Sequence, residues 1–377
     1  MIVGVIADDL TGAAELAAAA AAMGYTAEVH TTFDPASDAE VICVDTDTRA
    51  MPPDHAARNV ADISRSLLRA QPRWIFKKTD SVLRGNVRAE IESMLNVAGL
   101  VAALLVPANP SRGRVIRDGA YYVDNMPLEL SAFGSDPDHP RRSSKVHKLL
   151  GESESILDRV EIPDTENESD IRHHAARLNE TTLAAGGVDF FQAVLKVRAG
   201  TRQRVTSNGT FQLPALFCCG SLQAWRGDCA DQCTKNGIPV VLMPEAPISN
   251  LIDTASIIED WVVRIVDALS AKRIAMAAIG DGRLSDQRPS ALAGILADTV
   301  RHVLSREPIS TLCMEGGATA AAVLSAMGWT RLKVCPSQQL PGVGVMTESQ
   351  SQRPIILVKP GSYAWPHALW RNLSGTP

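Results

Sequence analysis

Ile2-Val3-Gly4-Val5-Ile6-Ala7-Asp8-Asp9-Leu10-Thr11-Gly12 opens the chain with an apolar run that stops at two adjacent carboxylates. Residues 2–6 read as a buried strand, and the alanine-rich residues 13–23 as the helix that comes after it. Charges at the end of a buried strand are costly unless something pairs with them, so stability alone is a poor reason for two aspartates there. The carboxyl end of a parallel sheet is, in contrast, where open α/β folds hold their ligands.

The pattern repeats. Residues 41–44 lead into Asp45-Thr46-Asp47-Thr48-Arg49, residues 74–76 into Lys77-Lys78-Thr79-Asp80-Ser81, and residues 101–106 into Pro107-Ala108-Asn109-Pro110. Any one such polar end reads as a helix cap or solvated turn. Four in succession, if the strands are parallel, open on one crevice holding Asp8, Asp9, Arg49, Lys78, Asp80, Ser81 and Arg84. That mixture suits a small polyhydroxylated anion, because Arg grips a carboxylate with two parallel bonds, Lys supplies a point charge and carboxylates orient hydroxyls.

Composition narrows the classes. A chain of 377 residues exceeds one ordinary core and predicts two domains. With 45% hydrophobic and 21% charged residues and a net charge of −5, it reads as a soluble enzyme rather than a nucleic-acid binder. Arg141-Arg142 and the Lys-containing residues 145–148 form a small basic patch, read as a loop or rim. The strand-like start lacks a basic leader and no apolar run is long enough to span a bilayer, which predicts a cytoplasmic address and no membrane partner. Seven irregularly spaced cysteines fit free thiols in a reducing compartment. Cys218, Cys219, Cys229 and Cys233 lack a CxxC pair or supporting histidines and read as buried thiols rather than a zinc site. His173-His174, in a polar helical segment, reads as surface.

Strands alternate with helical patterns to about residue 107. Residues 107–148, rich in Pro, Gly, Asp and Arg, form a long excursion of the kind that often carries function. Residues 153–161 look strand-like, 164–168 form a polar turn and 170–178 a helix. Residues 183–191 combine a strand, a glycine turn and a helix start. Periodicity lapses over 196–212, the best linker. A second set comes next, with strands at 215–219, 239–243, 274–279, 311–314, 331–334 and 355–358, and a helix at 222–236. The fold class is therefore α/β with two domains, 1–205 and 206–377. Each is expected to hold a largely parallel sheet flanked by helices, with the active site in the cleft between them.

The strand ends of the second half are rich in glycine and hydroxyls and poor in charge: Gly220-Ser221, Glu315-Gly316-Gly317-Ala318-Thr319 and Pro360-Gly361-Ser362-Tyr363. Such loops let backbone N–H groups approach phosphate oxygens, helped by the positive end of the next helix. A half shaped for a hydroxylated anion and a half shaped for phosphate suggest phosphoryl transfer. The chain has neither a Walker A sequence nor the protein-kinase lysine and His-Arg-Asp motifs, and Asp8-Asp9 does not match the Asp-x-Asp spacing of haloacid-dehalogenase phosphatases. The chemistry needs an aligned hydroxyl, charge neutralisation at the γ-phosphate, usually with magnesium, and often a carboxylate base.

Ile6-Ala7-Asp8-Asp9-Leu10-Thr11-Gly12-Ala13, Lys78-Thr79-Asp80-Ser81-Val82-Leu83-Arg84-Gly85, the excursion with Gly113-Arg114, Gly119, Tyr122 and Asp136-Pro137, and Gly316-Gly317-Ala318-Thr319 occur in that order. Together they resemble the four-carbon acid sugar kinase family over nearly the whole chain. The resemblance implies an N-terminal substrate domain, a C-terminal ATP domain and ATP-dependent phosphorylation of the terminal hydroxyl of a threonate, erythronate or oxo-tetronate. It puts the sugar-acid site on Asp8 or Asp9, Arg49 and Lys78, Thr79, Asp80 and Ser81. Its nucleotide contacts fall on Ser221, Gly316, Gly317, Ala318, Thr319 and Gly361. Magnesium is expected to arrive with ATP, and no residues are assigned to it. The chain departs from the family at Ala318, commonly Asp, and at Lys359-Pro360-Gly361-Ser362-Tyr363, which replaces a serine-glycine-glycine-phenylalanine type of loop. The expected mechanism has Arg49, with Lys78 or Arg84, on the substrate carboxylate and Asp8 and Asp9 on its hydroxyls. Asp80 is the candidate base, its alternative role being to cap the helix after Arg84. A kinase for another small sugar acid and a non-catalytic sugar-acid sensor are the competing readings. A homodimer fits a cytoplasmic enzyme of this kind.

Overall fold

In the computed structural model the opening apolar run forms strand β1 (Val3–Ala7), every residue of it buried. The structure describes residues 1–136, 139–151, 159–200, 202, 211–220, 225, 229–245, 251–280, 289–335, 340, 342–351, 353–361 and 364–374. The chain divides into two compact units, Met1–Arg204 and Val205–Pro377.

In the first unit β1 is succeeded by α1 (Leu10–Ala22), β2 (Ala27–His30), β3 (Val41–Asp45), α2 (Pro53–Arg69), β4 (Trp74–Lys78), α3 (Val87–Ala98) and β5 (Ala102–Val106). The excursion holds β6 (Arg114–Arg117), β7 (Ala120–Val123) and β8 (Met126–Pro127). Then come β9 (Val160–Glu161), α4 (Glu168–Ala176), β10 (Thr182–Gly186) and α5 (Val188–Ala199). The sheet runs β2-β3-β1-β4-β10-β5-β9, and each of these pairs is parallel. The polar ends of β1, β3 and β4 therefore lie side by side, as the repeated pattern requires.

Local chemistry explains the elements. Helix α1 is capped by Asp9, whose carboxylate accepts the Gly12 N–H at 2.8 Å. Helix α2 starts with proline, whose missing N–H costs nothing there. It buries Ala56, Val60, Ser64 and Leu67 at helical spacing. Gly4 in β1 makes room for α2, since a Cβ there would stand 3.0 Å from Leu67. Helix α3 ends at Gly99 in the left-handed conformation. Strand β2 has no counterpart in the sequence reading, because Glu28 and His30 interrupt its apolar pattern. Both are buried and pair at 2.9 Å, and Ser37 donates to Glu28 at 2.8 Å. The excursion is an antiparallel ribbon, β6-β7-β8, and Ile116, Tyr121 and Leu128 seat it in the same core as Ile6, Val44 and Leu105.

Helix α4 starts at an Asn167/Asp170 capping box, slightly earlier than its periodicity indicates. His174 is buried rather than on the surface, with Nε2 2.9 Å from the Asp164 carbonyl, while His173 is exposed.

The second unit contains β11 (Ala215–Cys219), α6 (Ala230–Lys235), β12 (Val240–Leu242), α7 (Leu251–Lys272), β13 (Ile274–Ala278), α8 (Pro289–Arg306), β14 (Thr311–Glu315), α9 (Gly317–Met327), β15 (Arg331–Val334), β16 (Gly344–Glu348), β17 (Ile355–Lys359) and α10 (His367–Ser374). Its strands run β12-β13-β11-β14-β17-β16-β15. The first five are parallel, whereas β16 is antiparallel to both neighbours. That hairpin-like end is a feature the sequence reading lacks. Its core packs Phe217 edge-on to Trp365 and stacked on Trp370. All seven cysteines are free thiols, and six are buried. No helix among the described residues is long and apolar enough to cross a membrane.

Candidate functional site

Successive side chains on a strand point to opposite faces, and Lys77-Lys78 at the end of β4 divide accordingly. Lys77 reaches Glu90 on α3, with Nζ 2.7 Å from Oε2. Lys78 turns the other way, to Glu15 on α1 at 3.3 Å, and donates to the Thr79 carbonyl at 2.8 Å. Gly12 lets Lys78 pass, because a Cβ there would sit 3.3 Å from Lys78 Cγ and 2.8 Å from Asp9 Oδ1.

Arg49 closes the group from β3. Its Nε donates to Asp8 at 2.7 Å, its Nη1 to Asp9 at 2.8 Å, and its Nη2 lies 3.9 Å from Asp80. Gly85, at φ +84°, packs against the Arg49 backbone where a side chain would collide. Asp80 accepts from the Val82 and Arg84 amides at 3.1 Å each, from Arg84 Nε at 3.1 Å and from Arg84 Nη2 at 2.8 Å. Arg114 donates to Ser81 Oγ. The structure thus brings together Asp8, Asp9, Arg49, Lys78, Thr79, Asp80, Ser81 and Arg84.

Their hydrogen-bonding capacity is not evenly used. Asp9 is engaged by Gly12, Thr11 and Arg49, and Asp80 by four donors. Asp8 is 2% exposed, yet its Oδ1 has no hydrogen-bond partner, and neither has the Thr79 hydroxyl, 1% exposed. Ala7 pairs with Lys78 in the ladder, which places residues 8 and 79 side by side just beyond it. An unsatisfied buried polar atom costs about 1–3 kcal/mol. One of these two is an acceptor only and the other both donor and acceptor, so together they have the capacity to pair with a hydroxyl group.

The electrostatics separate the acids. Burial pushes the Asp8 carboxyl up, but the charges of Arg49 and Lys77 outweigh it and leave Asp8 below the ordinary carboxylate value. Asp80 is buried too, and Arg84, with Arg49 behind it, holds it far below that range. Asp45, at the end of β3, goes the opposite way. Burial, with Asp9, Asp47 and Asp8 nearby, pushes it up to about 8.

Several contributors carry no signature in the sequence. Glu15 is one acid in an alanine-rich helix, bound by Lys78 and, at 2.6 Å, by Arg112. The excursion supplies Asp136, 3.0 Å from Arg84 Nη1, and Phe133, whose ring lies under Arg84 and Arg114 at 5.6 and 5.4 Å. Only the unusual length and composition of the excursion point to them.

In the second unit β11, β14 and β17 are neighbours, so Gly220, Gly316 to Thr319 and Gly361 lie at adjacent strand ends. Ser221 lies outside the described residues. Gly316, at φ +92°, forms the N-cap of α9, and its N–H bonds the Lys359 carbonyl at 2.9 Å. The amides of Gly317, Ala318 and Thr319 find no carbonyl within their own helix, as at any helix start. A Cβ on Gly220 would stand 2.4 Å from Thr319 Oγ1. The bare glycine therefore lets β11 end directly against Thr319 at the N-terminus of α9, and helix N-termini suit phosphate. Beneath it Lys359 pairs with Glu315, which also accepts from Cys229 Sγ at 3.0 Å. Cys219, Cys229 and Glu315 cluster there.

The fold and these strand ends define a two-unit α/β protein whose first unit gathers buried carboxylates, arginines and a lysine at adjacent strand ends. The sugar-binding N-terminal domain family matches residues 3–192, just over half of the chain, which belongs to the four-carbon acid sugar kinase family. The chain is 38% identical over 152 residues to a D-erythronate kinase of Heliobacterium modesticaldum, a match covering 39% of this chain and 34% of that protein. It is 34% identical over 149 residues to a D-threonate kinase of Salmonella typhimurium, covering 39% and 35%. These alignments span about a third of the relatives' own length. The fold matches the crystal structure of a Salmonella typhimurium LT2 protein with a TM-score of 0.77 over 98% of each chain, at 17% identity.

Proposed function

We propose that this chain is an ATP-dependent kinase that phosphorylates the terminal hydroxyl of a four-carbon sugar acid of the threonate, erythronate or oxo-tetronate type. The observation that carries this reading is the unfilled pair at the strand ends, Asp8 Oδ1 and Thr79 Oγ1, beside Arg49, Lys78 and Arg84. A sugar-acid hydroxyl donates to Asp8 and accepts from Thr79. The cationic side chains meet the substrate carboxylate, and Asp9 and Ser81 complete the lining. In the second unit Gly316, Gly317, Ala318, Thr319 and Gly361 hold phosphate oxygens, and Ser221 belongs to the same nucleotide site. Magnesium bound with ATP supplies charge neutralisation at the phosphates.

In this reaction the substrate oxygen bonds the γ-phosphorus, the bond to the β–γ bridging oxygen breaks, and the hydroxyl proton moves to a carboxylate. Asp8 is the better base. Its Oδ1 has no hydrogen-bond partner, whereas the Asp80 carboxylate is occupied by Arg84 and two backbone amides. Asp80 accordingly serves to hold Arg84 and the 80–84 turn.

The test is a coupled assay over four-carbon sugar acids with ATP and magnesium, using the native chain, Asp8→Asn and Asp80→Asn. Asp8→Asn is expected to lower kcat by about 10²- to 10⁴-fold with a smaller change in KM. Equal kcat in Asp8→Asn and the native chain removes Asp8 as the base. No turnover of any acid, together with no calorimetric ATP binding at millimolar concentration, overturns the kinase reading in favour of a sensor.

A further inference from the structure

Lys77 is fully buried and touches no proposed substrate group, and the proposed reaction uses only its charge, which helps to hold Asp8 ionised. Its Nζ lies 2.7 Å from Glu90 Oε2, donates to the Lys78 carbonyl at 2.7 Å and reaches the Ile6 carbonyl at 3.5 Å. The other oxygen of Glu90 accepts from Thr48 Oγ1 at 2.6 Å. Thr48 Oγ1 lies 2.7 Å from Thr46 Oγ1, and Thr46 donates its one hydroxyl proton to the Ala7 carbonyl at 2.8 Å. Next to this chain of bonds the Thr48 and Arg49 amides both donate to the Asp8 carbonyl, at 3.0 and 3.2 Å. One connected network therefore touches β1 behind Asp8, the loop that carries Arg49, and β4 behind Lys78.

A buried ion pair is a poor stabiliser. Replacing such a pair by apolar side chains of similar volume is often neutral or stabilising, whereas removing one partner is strongly destabilising. We propose that Lys77 and Glu90 are positioning residues that lock the Asp8 and Arg49 loops in the register needed to hold the sugar acid. The network has directional bonds to all three strand ends, which an apolar pair of the same volume lacks. The proposal rests on the reading that Asp8 and Arg49 bind the acid.

The experiment compares Glu90→Gln, Lys77→Met and the double variant Lys77→Met/Glu90→Leu with the native chain. Glu90→Gln leaves the buried Lys77 ammonium without its counter-charge and Lys77→Met leaves Glu90 without its cation, so either single change is expected to lower the urea midpoint. The double variant is expected to recover that midpoint while KM for the sugar acid stays raised about 10- to 100-fold and KM for ATP stays unchanged, because small misplacements of binding groups cost this much. Hydrogen exchange of the peptide containing Thr48 and Arg49 supplies a readout independent of turnover. Its amides are expected to exchange about tenfold faster in the double variant at equal global stability. A double variant that fails to fold shows a structural pair and overturns the proposal. So does one with native exchange at Thr48 and Arg49, or with native KM for the acid. If the native chain phosphorylates no four-carbon acid, the proposed function fails by itself, and the exchange measurement alone decides whether the network holds the loops.

Discussion

Asp45→Asn tests the electrostatics of the strand ends without touching a proposed substrate contact. Asp45 is 5% exposed, and its carboxylate accepts the Asp47 N–H at 2.9 Å, a bond that an asparagine oxygen reproduces. Burial, with the negative charges of Asp9, Asp47 and Asp8, raises its pKa from 3.8 to about 8. A carboxyl whose folded value exceeds its unfolded value binds a proton more tightly when folded. Its stabilisation is full below pH 4 and is lost as pH rises toward 8. The slope across that window approaches 1.36 kcal/mol per pH unit, so from pH 5 to pH 7 the native chain loses about 2.7 kcal/mol relative to the non-titrating variant. Urea unfolding at pH 5, 6, 7 and 8.5, with the first unit's transition assigned by exchange protection of β1 and β3, gives the two stability curves. Other groups largely cancel in their difference. A difference that stays constant within about 0.5 kcal/mol from pH 5 to 7 refutes a protonated Asp45 and the crowding of charge that produces it.

Close approaches and burial set three further outcomes. Gly12→Ala gains about 1 kcal/mol of helix propensity but places a Cβ 2.8 Å from Asp9 Oδ1 and 3.3 Å from Lys78 Cγ. Near-native urea stability with about tenfold weaker sugar-acid binding by calorimetry is the expected result. Gly220→Ala sets a Cβ 2.4 Å from Thr319 Oγ1, so ATP affinity should fall at least about tenfold with sugar-acid binding unchanged, read by separate titrations. Thiol titration of the native chain with a disulfide reagent should modify Cys335 first. It is the half-buried cysteine, while burial raises the Cys43, Cys218 and Cys313 thiols and keeps them inert.

How far the sequence reaches depends on how local the cause is. Strands β1, β3 and β4 are continuous apolar runs because both faces of a parallel sheet are covered, and their polar ends stand out against those runs. Strand β2 is invisible because its Glu28–His30 pair is satisfied only across space. The antiparallel β16 owes its direction to its pairing with β15 and β17, which no spacing along the chain announces. Within the site, the doublet Asp8-Asp9 reads as two equivalent acids, yet the fold splits them. Asp9 caps α1 and binds Arg49, while Asp8 keeps one buried oxygen without a hydrogen-bond partner. The same holds for Lys77-Lys78, where strand alternation sends adjacent lysines to glutamates on different helices. Glu15, Glu90 and Asp136 join the site through tertiary distance alone, so no spacing along the chain announces them.

The two units answer one physical problem in the same way. Where a parallel ladder ends, carbonyls at the strand ends need donors that the ladder does not supply. In the first unit Lys77 donates to the Lys78 carbonyl and reaches that of Ile6, and Glu90 balances its charge. In the second, Lys359 at the end of β17 donates to the Pro360 carbonyl and pairs with Glu315 at the end of β14. Trp365 covers that ammonium, its ring centroid 5.3 Å away. Each lysine is at most 1% exposed, and each is matched by a glutamate at most 3% exposed. Pairing below the strand ends leaves the loops beyond them free to be polar, and those loops diverge according to what they hold. The first unit fills them with Asp, Arg and Lys, the side chains that the proposed sugar-acid site uses. The second leaves them to glycine and helix N–H groups, which suit the oxygens of a phosphate.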